Sequence, residues 1–184
     1  MKKYSISQGD LYAGDHELIE FAEKIDPLSS LTIEQQFQEL ADSYLEDIFK
    51  GREDFERYIK LFGKINHLND YAILFAHGGE VNGNWTYCDN GKDIKVQNWV
   101  NKTDGKYAGL ILCSCNPGSY SLISKKSVLV YPDSDIDFIG GGGEITGRNV
   151  CFDLYVPKKG NIDSYVMGVE LEELERKLGI KSLG

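Results

Sequence analysis

The chain reads as an α/β fold, a three-layer α/β/α sandwich built on a mostly parallel sheet. Three observations predict it. Tyr71–Ala76, Leu110–Cys113 and Val128–Tyr131 are short, unbroken apolar runs, the pattern of strands covered on both faces. Stretches with apolar residues at helical spacing lie before and after them, and strand–helix alternation is what builds such sandwiches. The length of 184 residues, with 41% hydrophobic residues, suits one domain over 1–184 with a sizeable core.

The elements follow in order. Lys3–Ser7 is a short candidate strand. Asp15 can cap a helix carrying Leu18, Ile19, Ala22 and Ile25, which Pro27 ends. Thr32 with Gln35 forms a capping-box pattern. Ile33, Phe37, Leu40, Tyr44 and Ile48 then recur at helical spacing as far as Phe49, and Gly51 breaks the run. Phe55, Tyr58, Ile59 and Phe62 mark one buried helical face, with Gly63 expected to end it. Strand 71–76 leads into a loop, Gly78–Asn84. A hairpin pairs Trp85–Cys88 with Ile94–Val96 around Asp89-Asn90-Gly91, which has the chemistry of a tight reversal. Gln97–Lys106 is a loop or a short helix, and strand 108–113 follows. After Val128–Tyr131 come four glycines, Gly140–Gly143, a strand near Val150–Val156, and a helix carrying Val169, Leu171, Leu174 and Leu178.

The balance of 20 basic against 29 acidic residues, formally −9, lacks the basic stripe of a nucleic-acid binder. It reads as an acidic surface, or as a rim that steers cationic substrates. The N-terminus has no continuous apolar h-region, and no apolar run approaches the ~18–20 residues that span a bilayer. A cytoplasmic protein without a membrane partner is expected. The four cysteines, Cys88, Cys113, Cys115 and Cys151, do not have the spacing of a small secreted disulfide framework.

The chemistry-bearing feature is where two of the apolar runs end. One runs into His77-Gly78-Gly79, the other into Ser114-Cys115. In open α/β sheets, chemistry sits just past the carboxyl ends of the strands. Adjacent strands lie about 4.8 Å apart, so a histidine and a cysteine on neighbouring tips can form a thiol–imidazole dyad. His16 and His67 end no strand, and Cys113 sits inside its apolar run. Cys115 is therefore the candidate nucleophile and His77 its base. Gly78 lets the chain turn and offers a backbone N–H to an oxyanion. Each residue also has a plain packing reading: a histidine beside a glycine turn, and core cysteines.

These motifs resemble the caspase-like cysteine peptidases, among them caspases, metacaspases, legumain, gingipain and the CHAT domains. Those carry an apolar strand ending in His-Gly and, further on, one ending in a small residue and the nucleophilic Cys. The His-before-Cys order differs from papain-like enzymes. A hairpin tipped with Asp-Asn-Gly is similar to the segment between the motifs in the CHAT branch, and the resemblance spans about residues 68–132. It implies His77 as general base and acid, Cys115 as nucleophile, and the N–H groups of Gly78 and Cys115 as oxyanion hole. Where metacaspases place an acidic residue two before the nucleophile, this chain has Cys113. Where they continue His-Ser-Gly, it has Asn116-Pro117-Gly118, matching only at the glycine. Cys113, Asn116 and Asp133 are the expected substrate-binding positions.

The implied function is a cysteine endopeptidase acting on a peptide or protein substrate, with no cofactor and no metal. The alternative is a catalytically silent caspase-like module that binds a protein or peptide. Other patterns point elsewhere only weakly. Asp133-Ser134-Asp135-x-Asp137 lacks the spacing of an EF-hand loop. Gly140–Gly143 would serve a small-molecule site, but Glu144 follows rather than the Lys-Ser/Thr of a phosphate cradle. Zinc held by Cys88, Cys113, Cys115 and His77 would need a second close pair of ligands. Trp85, Tyr87 and Trp99 line a cleft or pack under the hairpin. Nothing in the sequence speaks to oligomeric state.

Overall fold

A computed structural model describes residues 1–6, 9–14, 25–49, 52–136 and 152–180. In chain order its elements are β1 (Lys2–Ile6), β2 (Gly9–Ala13), α1 (Ile33–Phe49), α2 (Glu53–Asn66), β3 (Asn69–Phe75), β4 (Gly78–Val81), β5 (Asn84–Asp89), β6 (Lys92–Lys95), α3 (Val96–Thr103), β7 (Tyr107–Cys113), β8 (Val128–Pro132), β9 (Phe152–Val156), β10 (Gly160–Asn161) and α4 (Ser164–Leu178). The main sheet has seven strands in the order β1-β2-β3-β7-β8-β9-β10. β2, β3, β7 and β8 run parallel in the centre, while β1, β9 and β10 pair antiparallel at the edges. β4, β5 and β6 form a separate antiparallel sheet of three strands. The chain is thus mixed α/β, with parallel pairing in the sheet's centre.

Successive strand residues point to opposite faces, and both faces of this sheet are apolar. Ile73, Phe75, Ile111, Cys113, Val128 and Val130 join a core with residues of α1, α2 and α4. Ala72, Leu74, Leu110, Leu112, Leu129 and Tyr131 join another with Trp85, Tyr87, Val96, Trp99 and Val100. That double burial explains why the three central runs lack polar alternation.

Local chemistry sets the helix ends. Thr32 and Gln35 form the reciprocal capping box: the Thr32 N–H donates to Gln35 Oε1 at 2.8 Å, and the Gln35 N–H to Thr32 Oγ1 at 3.2 Å. Asp163 caps α4 by accepting the Val166 N–H at 2.9 Å, and Gly179 closes it with φ 67°. α2 carries Arg57, whose guanidinium pairs with the buried Glu175 carboxylate of α4.

Several sequence expectations change. Gly63 does not end α2, which continues to Asn66 and closes at His67 with φ 57°. A Cβ at Gly63 would lie 3.0 Å from Ala108 Cβ, so this glycine serves close helix–sheet packing. Gly78–Asn84 is not a loop. It is β4 and a tight turn, with Asn82 and Gly83 at φ 49° and 69°. β2 had no sequence signal, being five residues with buried Leu11 and Ala13. Gln97–Lys106 resolves into most of α3, which Val96 begins. Ile33 and Val169 are exposed rather than on their helices' buried faces. The expected helix after Asp15, Asp137, the Gly140–Gly143 run and Cys151 lie outside the described residues. Among the described residues no helix is long and apolar enough to cross a membrane.

Candidate functional site

β3 and β7 are neighbours and parallel, with Phe75 opposite Cys113. The Ala76 N–H donates to the Cys113 carbonyl at 3.1 Å, so the pairing persists to the last buried residue of the run. The β3–β7 pairing ends there, one residue before His77 and two before Cys115, and Cys115 packs partly against the core covered by α1, α2 and α4. The two tips therefore lie at one edge of the sheet.

Gly78 brings them into contact. A Cβ there would overlap the carbonyl oxygen of Cys115 and lie 2.5 Å from Ser114 Oγ. Only a residue without a side chain lets β4 leave the sheet this close to the cysteine turn. Its partner in β5 is Tyr87, whose ring is buried in the second core. β4 thus swings the chain away immediately after His77, which is exposed.

Cys115 is half-buried. Its sulfur lies 3.0 Å from the Ile136 carbonyl oxygen, to which the thiol donates, and the Ile136 N–H donates back to it at 3.3 Å. Cys113 is fully buried, and burial pushes its thiol far above the usual range. Since the nucleophile is the thiolate, the geometry separates the two cysteines of the Cys-Ser-Cys run. The intervening Ser114 is also fully buried, and its hydroxyl finds no hydrogen-bond partner among the described residues.

Asn116 is buried, and its side chain is used internally. Nδ2 donates to the Tyr120 and Pro132 carbonyls, both at 2.9 Å, and Oδ1 accepts the Tyr120 N–H at 2.8 Å. Its backbone N–H reaches the Ser134 carbonyl at 3.2 Å. Of the expected substrate-binding positions, Cys113 and Asn116 are therefore closed in, because core packing and turn hydrogen bonds occupy them. Asp133 is exposed, in the turn that follows β8. Its charge, after burial itself, helps raise the Asp153 carboxyl, with Arg52 opposing. The half-buried Tyr120 has its hydroxyl pKa raised by burial and, next, by the Glu80 carboxylate of β4.

No protein-family model, curated protein or solved structure matches this chain.

Among the described residues, no group of three or more His, Cys, Asp or Glu side chains is arranged to hold a metal ion. Trp85, Tyr87 and Trp99 are packed into the second core rather than lining a cleft. Sequence reasoning missed Ile136 and the bracing role of Asn116. The Asn-Pro-Gly turn was a signal for the second, whereas nothing in the sequence marks a backbone contact between residues 115 and 136.

Proposed function

We propose that the chain is a caspase-like cysteine endopeptidase in a three-layer α/β/α framework, with Cys115 as nucleophile and His77 as general base and acid. The observation that carries this reading is the approach of Gly78 to Cys115, which joins the histidine and cysteine tips at one sheet edge. His77 takes the thiol proton, and the sulfur bonds to the scissile carbonyl carbon. The N–H groups of Gly78 and Cys115 stabilise the resulting oxyanion. Collapse breaks the C–N bond, and the imidazolium protonates the leaving amine. Water then adds to the thioester with His77 as base, releasing the carboxylate and restoring the thiol.

The test is cleavage of a degenerate peptide library followed by mass spectrometry. Cleavage should vanish in Cys115→Ala and fall about 10²–10⁴-fold in His77→Ala, the usual scale of an acid–base contribution. Cleavage that survives Cys115→Ala overturns the assignment. A silent peptide-binding module is the second reading, and the Ile136 contact on the sulfur favours it. It predicts library binding without cleavage, unaltered by Cys115→Ala.

A further inference from the structure

The backbone of one residue of the chain satisfies both hydrogen-bonding roles of the Cys115 thiol: the Ile136 carbonyl accepts from S–H, and the Ile136 N–H donates to the sulfur. Pro132–Ile136 lies across the cysteine turn and is fastened there along its length. Asn116 Nδ2 holds the Pro132 carbonyl, Ser119 Oγ holds the Asp133 carbonyl at 2.6 Å, and the Asn116 N–H holds the Ser134 carbonyl. The Ile136 side chain is buried in the core shared with α1, α2 and α4. A carbonyl oxygen in this position suits S–H and opposes a bare thiolate. Meanwhile Ser114 Oγ, enclosed beneath Gly78, has no hydrogen-bond partner among the described residues, an unfavourable state for a buried hydroxyl.

We infer that Pro132–Ile136 is a built-in strap that caps the Cys115 thiol and holds the site latent, and that access to the sulfur requires the strap to lift. The inference rests on the reading of Cys115 as the reactive thiol, though not on what the thiol does once uncovered. An incoming peptide competes with the strap, because its own N–H and C=O groups can replace those of Ile136 around the sulfur. The strap thus sets a threshold that a substrate or binding partner must overcome.

Iodoacetamide alkylation of the 184-residue chain, followed residue by residue by mass spectrometry, tests this. Two variants loosen the strap differently. Ser119→Gly removes the hydroxyl that holds Asp133, at an exposed position whose φ of 50° glycine accepts readily. Ile136→Ala removes the strap's apolar anchor. Each should speed alkylation of Cys115 about three- to tenfold, the gain in open population expected from losing one such interaction. Cys88, which lies in β5, should keep its rate. If Ile136→Ala does not fold, Ser119→Gly alone decides. An unchanged Cys115 rate in the folded variants overturns the strap, as does a wild-type Cys115 that reacts as fast as in urea. Adding His77→Ala to the loosened chain separates the two proposals. A Cys115 uncovered by strap loosening but indifferent to His77 upholds the strap and removes the dyad.

Discussion

At the scale of single residues, position 78 bears most on the site. Nothing larger than hydrogen fits between β4 and the Cys115 carbonyl, and the obstructing atom is backbone, which cannot rotate aside. Gly78→Ala must therefore shift one strand tip against the other. Overpacking of this kind is unfavourable by about 1–3 kcal/mol, or roughly 2–12 °C in Tm for a chain of this size. Gly79→Ala is the matched control, because a Cβ there meets only Thr86 Oγ1 at 3.9 Å. Equal melting temperatures for the two variants in differential scanning fluorimetry would contradict the close approach. His77 and Cys115 were legible in the sequence because each terminates an apolar run, and strand ends are where an α/β sheet presents its chemistry. Asn116 was marked only as part of an Asn-Pro-Gly turn, which fits its bonds to Tyr120 but not those to Pro132 and Ser134. Ile136 was not legible, because its bonds to Cys115 use backbone groups and span β8, which leaves no mark on residue type.

Between elements, the segment linking β7 to β8 is pinned at both ends. Asn116 braces the site end. At the other, the Asp104 carboxylate accepts N–H groups from Lys125 at 2.8 Å, Lys126 at 3.0 Å and Ser127 at 2.8 Å, just before β8 begins. Burial works against ionisation of Asp104, but those three N–H groups and the Ser127 hydroxyl outweigh it and hold the carboxyl below its ordinary value. A carboxyl depressed in the folded state stabilises the fold above its unfolded value, near 3.9. That contribution is lost as pH falls through the folded value. Asp104→Asn should lower stability at pH 7 by about 1–2 kcal/mol. The gap from wild type should narrow below about pH 4. Urea unfolding at pH 7 and pH 3 reads this directly, and a gap that does not change with pH would remove the clip. The capping box at Thr32 and the Asn90-Gly91 reversal were legible because they depend on residues close in sequence. The same turn chemistry at Asn82-Gly83 was present yet read as loop, because β4 is too short and too polar to look like a strand.

For the molecule as a whole, the apolar runs conveyed that the sheet is covered twice, but not which strands are antiparallel, since periodicity carries no direction. The antiparallel pairing of β1, β9 and β10 at the edges has no counterpart in those runs. Double covering has a consequence that one substitution pair can test. Ile111 and Leu112 are consecutive, both fully buried, and belong to different cores. Ile111→Ala and Leu112→Ala should each lower stability by about 2–5 kcal/mol. A sheet wetted on one face would instead leave one of the two nearly neutral. The pair also separates optically. The chain has 2 tryptophans, Trp85 and Trp99, and both sit in the core that contains Leu112. Leu112→Ala should therefore perturb native tryptophan emission, whereas Ile111→Ala should destabilise the fold to a similar degree with the emission of its native state unchanged. A matching spectral change in both variants would mean that the two cores communicate through the sheet rather than packing as independent layers.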